Sequence, residues 1–156
     1  MTTKRLVRAL ALGAMLAMPV AGCRLHPADE SPPQRAPGDE PLYTRLGGEA
    51  AIVAVVDDFV ANVAADDRVK EYFAAVDIPK LKKHLVDQIG QASGGPQEYK
   101  GRDMKTVHEG LGIDDADFDA LVEDLVKALD KFNVPEREKG ELLAILGPMK
   151  ADIVTK

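Results

Sequence analysis

Ile52, Val55, Val56, Phe59, Val60 and Val63 recur at steps of three and four residues. On a helix of 3.6 residues per turn these side chains share one face, and a strand, with its period of two, would scatter them. The chain keeps to the helical period from Pro41 onward. Residues 79–92 open on Pro79, suited to a first helical turn, and set Leu81, His84, Leu85, Gln88 and Ala92 on one face before Gly94-Gly95-Pro96 stops them. Residues 97–113 read as irregular, with a short helical piece over Met104–Glu109 that Gly110 and Gly112 end. Asp114 to Asp117 forms a cap cluster, because short acids accept hydrogen bonds from free N–H groups at the positive helix end. Phe118, Leu121, Val122, Leu125 and Leu129 continue that helix. Pro135 starts the last one, with Leu142, Ile145, Leu146, Met149 and Ile153 inward and a kink expected at Pro148. No alternating run and no internal repeat occurs, so the expected class is all-α.

Composition narrows the function. The chain carries 20 Lys and Arg against 26 Asp and Glu, a net charge of -6. Nucleic-acid binding needs a basic face, so that class is set aside. A lone cysteine excludes an internal disulfide framework and a multi-cysteine zinc site.

That cysteine has a context. Residues 1–22 begin with the cations Lys4, Arg5 and Arg8 and continue as an apolar run from Ala9 to about Val20. The run falls short of the roughly 20 apolar residues a membrane span needs, and it reads as a secretory signal. Val20-Ala21-Gly22-Cys23 resembles the lipobox of bacterial lipoproteins, which implies cleavage before Cys23 and lipidation of its thiol. Cleavage would remove three cations and no acid, leaving 17 basic and 26 acidic residues and a net charge of -9. Residues 23–40 hold four prolines and few apolar side chains, the composition of an extended tether, and His26 within it reads as solvated. The expected organisation is a signal over 1–22, a lipidated Cys23 and tether over 23–40, and one helical domain over 41–156. The expected location is the outer side of the cytoplasmic membrane. Arg24 stands where many lipoproteins retained at the inner membrane carry Asp, which favours the outer membrane in a Gram-negative cell.

Two histidines lie in the helical domain. His84 sits on an apolar helix face beside Leu81 and Leu85; His108 closes the short segment Met104-Lys105-Thr106-Val107-His108. A neutral imidazole among aliphatics needs a hydrogen-bond partner or a metal. Spacing alone leaves both open.

Pro41-Leu42-Tyr43-Thr44-Arg45-Leu46-Gly47-Gly48, then Asp58-Phe59, Tyr72-Phe73, Gly94-Gly95-Pro96, Tyr99-Lys100-Gly101, Met104 to His108, Gly110-Leu111-Gly112-Ile113 and Pro148 follow in order. This set, over about residues 41–154, resembles the group I truncated haemoglobins. The resemblance implies a shortened globin, two helices over two, around one haem b that binds oxygen or another diatomic gas. It implies His108 as the proximal iron ligand, in keeping with an imidazole on a short helix as a haem axial ligand. It implies Phe73 against the porphyrin, with Val60, Leu81, Leu85, Met104, Val107, Ile113, Phe118, Val122 and Leu146 as apolar walls. Lys80 and Lys82 flank the same helix face, where either reaches a haem propionate.

Departures from the family pattern matter more. Members commonly carry Tyr at the position of Val60 and Gln at those of Leu81 or Leu85, and these donate to the bound gas. Here the polar groups left on the distal face are His84 and, one turn on, Gln88. In some members a His matching His84 binds the iron directly. His84 is therefore expected either as a sixth ligand or as a hydrogen-bond donor to the gas. Alternatives are nitric-oxide dioxygenation or peroxide reduction at the same iron, for which no reductase module or identifiable reductant is present, bis-histidine electron transfer, or a haem-free lipoprotein that docks a partner. Asp115-x-Asp117-x-Asp119 imitates a calcium loop, but Ala120 and Val126 stand where such a loop needs Gly and Glu. Asp57-Asp58 and Asp66-Asp67 read as solvated helix faces and ends.

Overall fold

The computed structural model describes residues 40–156. The signal, Cys23 and the tether lie outside the described residues. All regular structure among those described is helical: α1 Leu42–Arg45, α2 Gly48–Ala65, a 3-10 turn Lys70–Phe73, α3 Ile78–Ala92, α4 Met104–His108, α5 Asp115–Lys131, α6 Glu136–Leu146, a second 3-10 turn Gly147–Met149 and α7 Lys150–Ile153. The all-α expectation holds.

The stripe on α2 makes the core. Ile52, Val55, Val56, Phe59, Val60 and Val63 are all buried, and α2 packs on both α3 and α5. Val56, Leu129 and Leu142, each 1 % exposed, join α2, α5 and α6 in one apolar cluster. Burying side chains of this size stabilises by about 1.5–3 kcal/mol apiece. Gly47 enters α2 with φ +95, and a Cβ there would come within 2.9 Å of the Ala51 Cβ, so both backbone and space select glycine.

The helix ends follow the local chemistry. Asp77 caps α3 by accepting from the Lys80 N–H at 3.0 Å, with Pro79 in the first turn. The cap cluster of α5 is a reciprocal box: the Asp114 carboxylate accepts from the Ala116 and Asp117 amides, and the Asp117 carboxylate from the Asp114 amide. Tyr72 reaches the same carboxylate, its hydroxyl 2.7 Å from Asp117 Oδ2.

Three expectations need correction. The last helix is interrupted, not bent: Pro148 lacks an N–H, and the chain passes through a 3-10 turn before α7. On α3 the most buried residues are Val86, Ile89 and Gly90, while the stripe Leu81, His84, Leu85, Gln88, Ala92 is half-buried. That helix has two inward faces, one on α2 and one turned toward Met104 and Met149. The acid pairs are also engaged in part: Asp58 pairs with Lys131 and Asp66 with Arg68 at 2.6 Å.

Candidate functional site

The two candidate imidazoles are carried by α3 and α4, which the C-terminal segment joins through Met149 and α7. α4 is five residues long and would not persist alone. It is held at its start by the Asp103 carboxylate, which accepts from the Thr106 amide at 2.9 Å, and it packs against α7. The bond to Thr106 keeps the Asp103 carboxyl below its ordinary range. At its end the His108 ring is half-buried, and its Nδ1 lies 2.7 Å from the Met104 carbonyl oxygen one turn back. A carbonyl only accepts, so Nδ1 carries the hydrogen and donates. In the neutral ring Nε2 then keeps its lone pair, the tautomer required of a metal ligand.

His84 is half-buried on α3, and its Nδ1 is buried with no hydrogen-bond partner. Such an atom costs about 1–3 kcal/mol when left unmade. Its ring meets that of Tyr99 edge-on, with centroids 5.9 Å apart and planes at 68°. One turn along α3, Gln88 turns its amide to two sulfurs, Met149 Sδ at 3.1 Å and Met104 Sδ at 3.8 Å. Those contacts tie α3 to α4 and to the C-terminal turn.

The other expected positions divide. Val60 is buried in the main core on α2. Leu81, Leu85, Met104, Val107, Val122 and Leu146 are all half-buried. Ile113 and Phe118 are buried but stand apart from the main cluster, under the C-terminal segment. The Ile113 carbonyl accepts from the Thr155 and Lys156 amides, and Lys150 Nζ sits 5.3 Å from the Phe118 ring centre. Phe73 lies in the first 3-10 turn and, with Ala64, Ala74 and Ile78, lines an open depression of about 410 Å³. Lys80 is exposed and makes no ion pair among the described residues, whereas Lys82 reaches Asp57 at 2.9 Å. Sequence reasoning missed Tyr99 as a neighbour of His84. Its signal is Gly101 two residues on, needed because the phenol ring lies where a Cβ would be.

One imidazole has its tautomer fixed and the other has a buried nitrogen without a partner, and both are half-buried; such a donor set fits a haem-binding helical protein. The donor set suits iron in a porphyrin and not a free cation. The comparisons agree with that class. Residues 41–155 match the bacterial-like globin family. A group 1 truncated haemoglobin of Synechocystis is 39% identical over 110 residues, covering 68% of this chain and 89% of that protein. Another, from Tetrahymena thermophila, is 34% identical over 115 residues, covering 74% and 95%. Among solved structures, the Fe(III) form of truncated haemoglobin from Tetrahymena pyriformis superposes with a TM-score of 0.72 at 32% identity, over 75% of this chain and 100% of that one. The 2/2 haemoglobin of Synechococcus, in the cyanomet state with covalently attached haem, gives 0.70 at 35% identity over the same shares. The chain belongs to the group 1 truncated haemoglobin family. It is a two-over-two haem-binding globin that takes diatomic gases such as oxygen.

Proposed function

We propose that His108 is the proximal ligand of a haem held between α3 and α4, and that His84 occupies the distal side as a sixth ligand which steps aside for the gas. Bound there, the haem would supply an iron able to take a diatomic ligand. The observation that carries the reading is the 2.7 Å bond from His108 Nδ1 to the Met104 carbonyl. It sets the ring plane and presents Nε2, and donation from Nδ1 makes Nε2 a stronger base. The half-buried aliphatic side chains of Leu81, Leu85 and Val107 would keep water from the haem. Lys80 is the free cation for a propionate, since Lys82 is shared with Asp57.

The distal role rests on elimination among polar groups. Val60, Leu81 and Leu85 donate nothing, and the Gln88 amide faces two sulfurs. Among these side chains only His84 has a polar atom buried without a partner. A pocket so poor in donors releases oxygen faster than one with Tyr and Gln, each missing charge-assisted bond being worth about 1.5–3 kcal/mol. The test is the absorption spectrum of the ferrous, gas-free protein. Sharp low-spin bands that His84→Ala converts to a broad high-spin band are the expected result. A broad band in both proteins removes coordination by His84 and leaves it as a donor to the gas.

The same reading takes the protein to the membrane, on Val20-Ala21-Gly22-Cys23. Cleavage before Cys23 and acylation of its thiol would tether the globin outside the cytoplasmic membrane, with residues 23–40 as spacer; two or more acyl chains suffice for stable anchoring. None of the described helices is long and apolar enough to cross a membrane; in this reading the anchor is the lipid on Cys23. Cys23→Ser is expected to abolish labelling by radioactive palmitate and to move the globin out of the membrane fraction. Unchanged labelling would overturn the lipidation.

A further inference from the structure

We propose that Tyr99 is a positioning residue that sets how strongly His84 competes for the haem iron. The proposal deepens the distal reading above and rests on it.

No hydrogen bond orients the His84 ring among the described residues, and its Nδ1 is buried and unpartnered. The specific contact it has is the edge-on approach to Tyr99. Tyr99 in turn is fixed from three sides. Its amide donates to Gln91 Oε1 at 2.6 Å, its hydroxyl donates to the Arg102 carbonyl at 2.7 Å, and its ring lies over Gly101, where a Cβ would stand 2.3 Å from Cζ and Oη. Burial pushes the Tyr99 phenol up, as expected for a ring against protein and not in water. Gln91 lies seven residues after His84, two turns along the same face of α3. Arg102 immediately precedes Asp103, the cap of α4. The ring thus sits between the helix of the distal imidazole and the start of the helix that carries the proximal one. An imidazole without a hydrogen bond is oriented by what packs on it, and here the specific contact is one aromatic edge tied to α3 through Gln91 and to the approach to α4 through Arg102.

The test uses the full-length, haem-loaded protein. The ratio of six- to five-coordinate ferrous iron is read from the absorption spectrum, and release of His84 from the slow phase of carbon monoxide binding. Tyr99→Leu is expected to shift the ratio toward five-coordinate by roughly threefold to tenfold, while Tyr99→Phe, which keeps the ring, stays within about twofold of the parent. Haem dissociation from Tyr99→Phe should be unchanged, which separates ring positioning from general loosening. If Tyr99→Leu does not retain haem, Gln91→Ala and Gly101→Ala, which disturb the brace and leave the ring, must shift the ratio in the same direction. An unaltered ratio in Tyr99→Leu, or in both substitutes, overturns the proposal and leaves His84 as a ligand. A parent protein already identical to His84→Ala in spectrum and kinetics overturns both.

Discussion

His108→Gly asks the most of a single side chain. Its Nδ1 is committed to the Met104 carbonyl, so the ring is oriented before any ligand arrives, and no second imidazole lies on α4. The glycine variant is expected to lose the Soret band after gel filtration and to regain it with millimolar imidazole, which fills the space left and restores the nitrogen. Retention of haem and colour without imidazole would place the proximal ligand elsewhere. His84 is a different case. Its Nδ1 is left buried and unbonded, an arrangement that costs folding free energy and leaves the ring with no hydrogen bond to orient it.

At the scale of the element, α4 depends on its cap. With five residues it gains little from its own ladder, and Asp103 satisfies the Thr106 amide at its start. Asp103→Ala should speed haem loss to an acceptor apoglobin by roughly threefold to tenfold, the cost of a missing N-cap, and Asp103→Asn, an equally good cap, should not. Equal rates in all three proteins would mean that packing on α7 alone holds the segment. The reading from sequence was good where periodicity or capping dominates. The α2 stripe, the Asp114 box and the Gly94 stop are where the pattern puts them. It failed where long-range contact decides. On α3 one stripe was legible, but Val86, Ile89 and Gly90 form a second inward face that depends on where α2 lies. Pro148 announced an irregularity, but not that the chain would pass through a 3-10 turn and resume as α7. Burial of Glu138 and Lys139 was illegible, because it follows from Arg45 reaching across from α1 and from Asp130 on α5. His84 and His108 were legible as a pair of candidates, whereas Tyr99 was not, since neither its bond to Arg102 nor its edge on His84 follows from any period.

Ion pairs within and between elements run through the described domain, and these set its response to pH. Hydrogen bonds from Arg68 hold Asp66 at about 2, below its ordinary 3.8. Arg45 lowers Glu141, and the Tyr72 hydroxyl lowers Asp117. A carboxylate more acidic in the folded chain than in the unfolded one stabilises fully above its unfolded value and loses that contribution as pH falls through the folded one. On the basic side, Asp130 raises Lys139, Asp115 raises Lys150 and Asp124 raises Lys127. For these the stabilisation is complete below the ordinary lysine value of 10.5 and disappears above it. The melting temperature, followed by far-UV circular dichroism, is therefore expected to be flat from about pH 5 to about pH 10 and to fall on either side, on the acid limb between about pH 4 and pH 2. Asp66→Asn should lower the plateau and make the acid limb shallower, because the pair that titrates there is already gone. A melting temperature that rises on going from pH 5 to pH 3 would mean that repulsion among the surplus acids, not pairing, governs the fold. The excess of 26 acids over 20 bases makes that a real contest. Protonation relieves the repulsion over the same interval in which it breaks the pairs, and the sign of the slope decides which is larger. Asp66 holds its pair with a side chain only 12 % exposed, where solvent screens it little, which is why pairing should win.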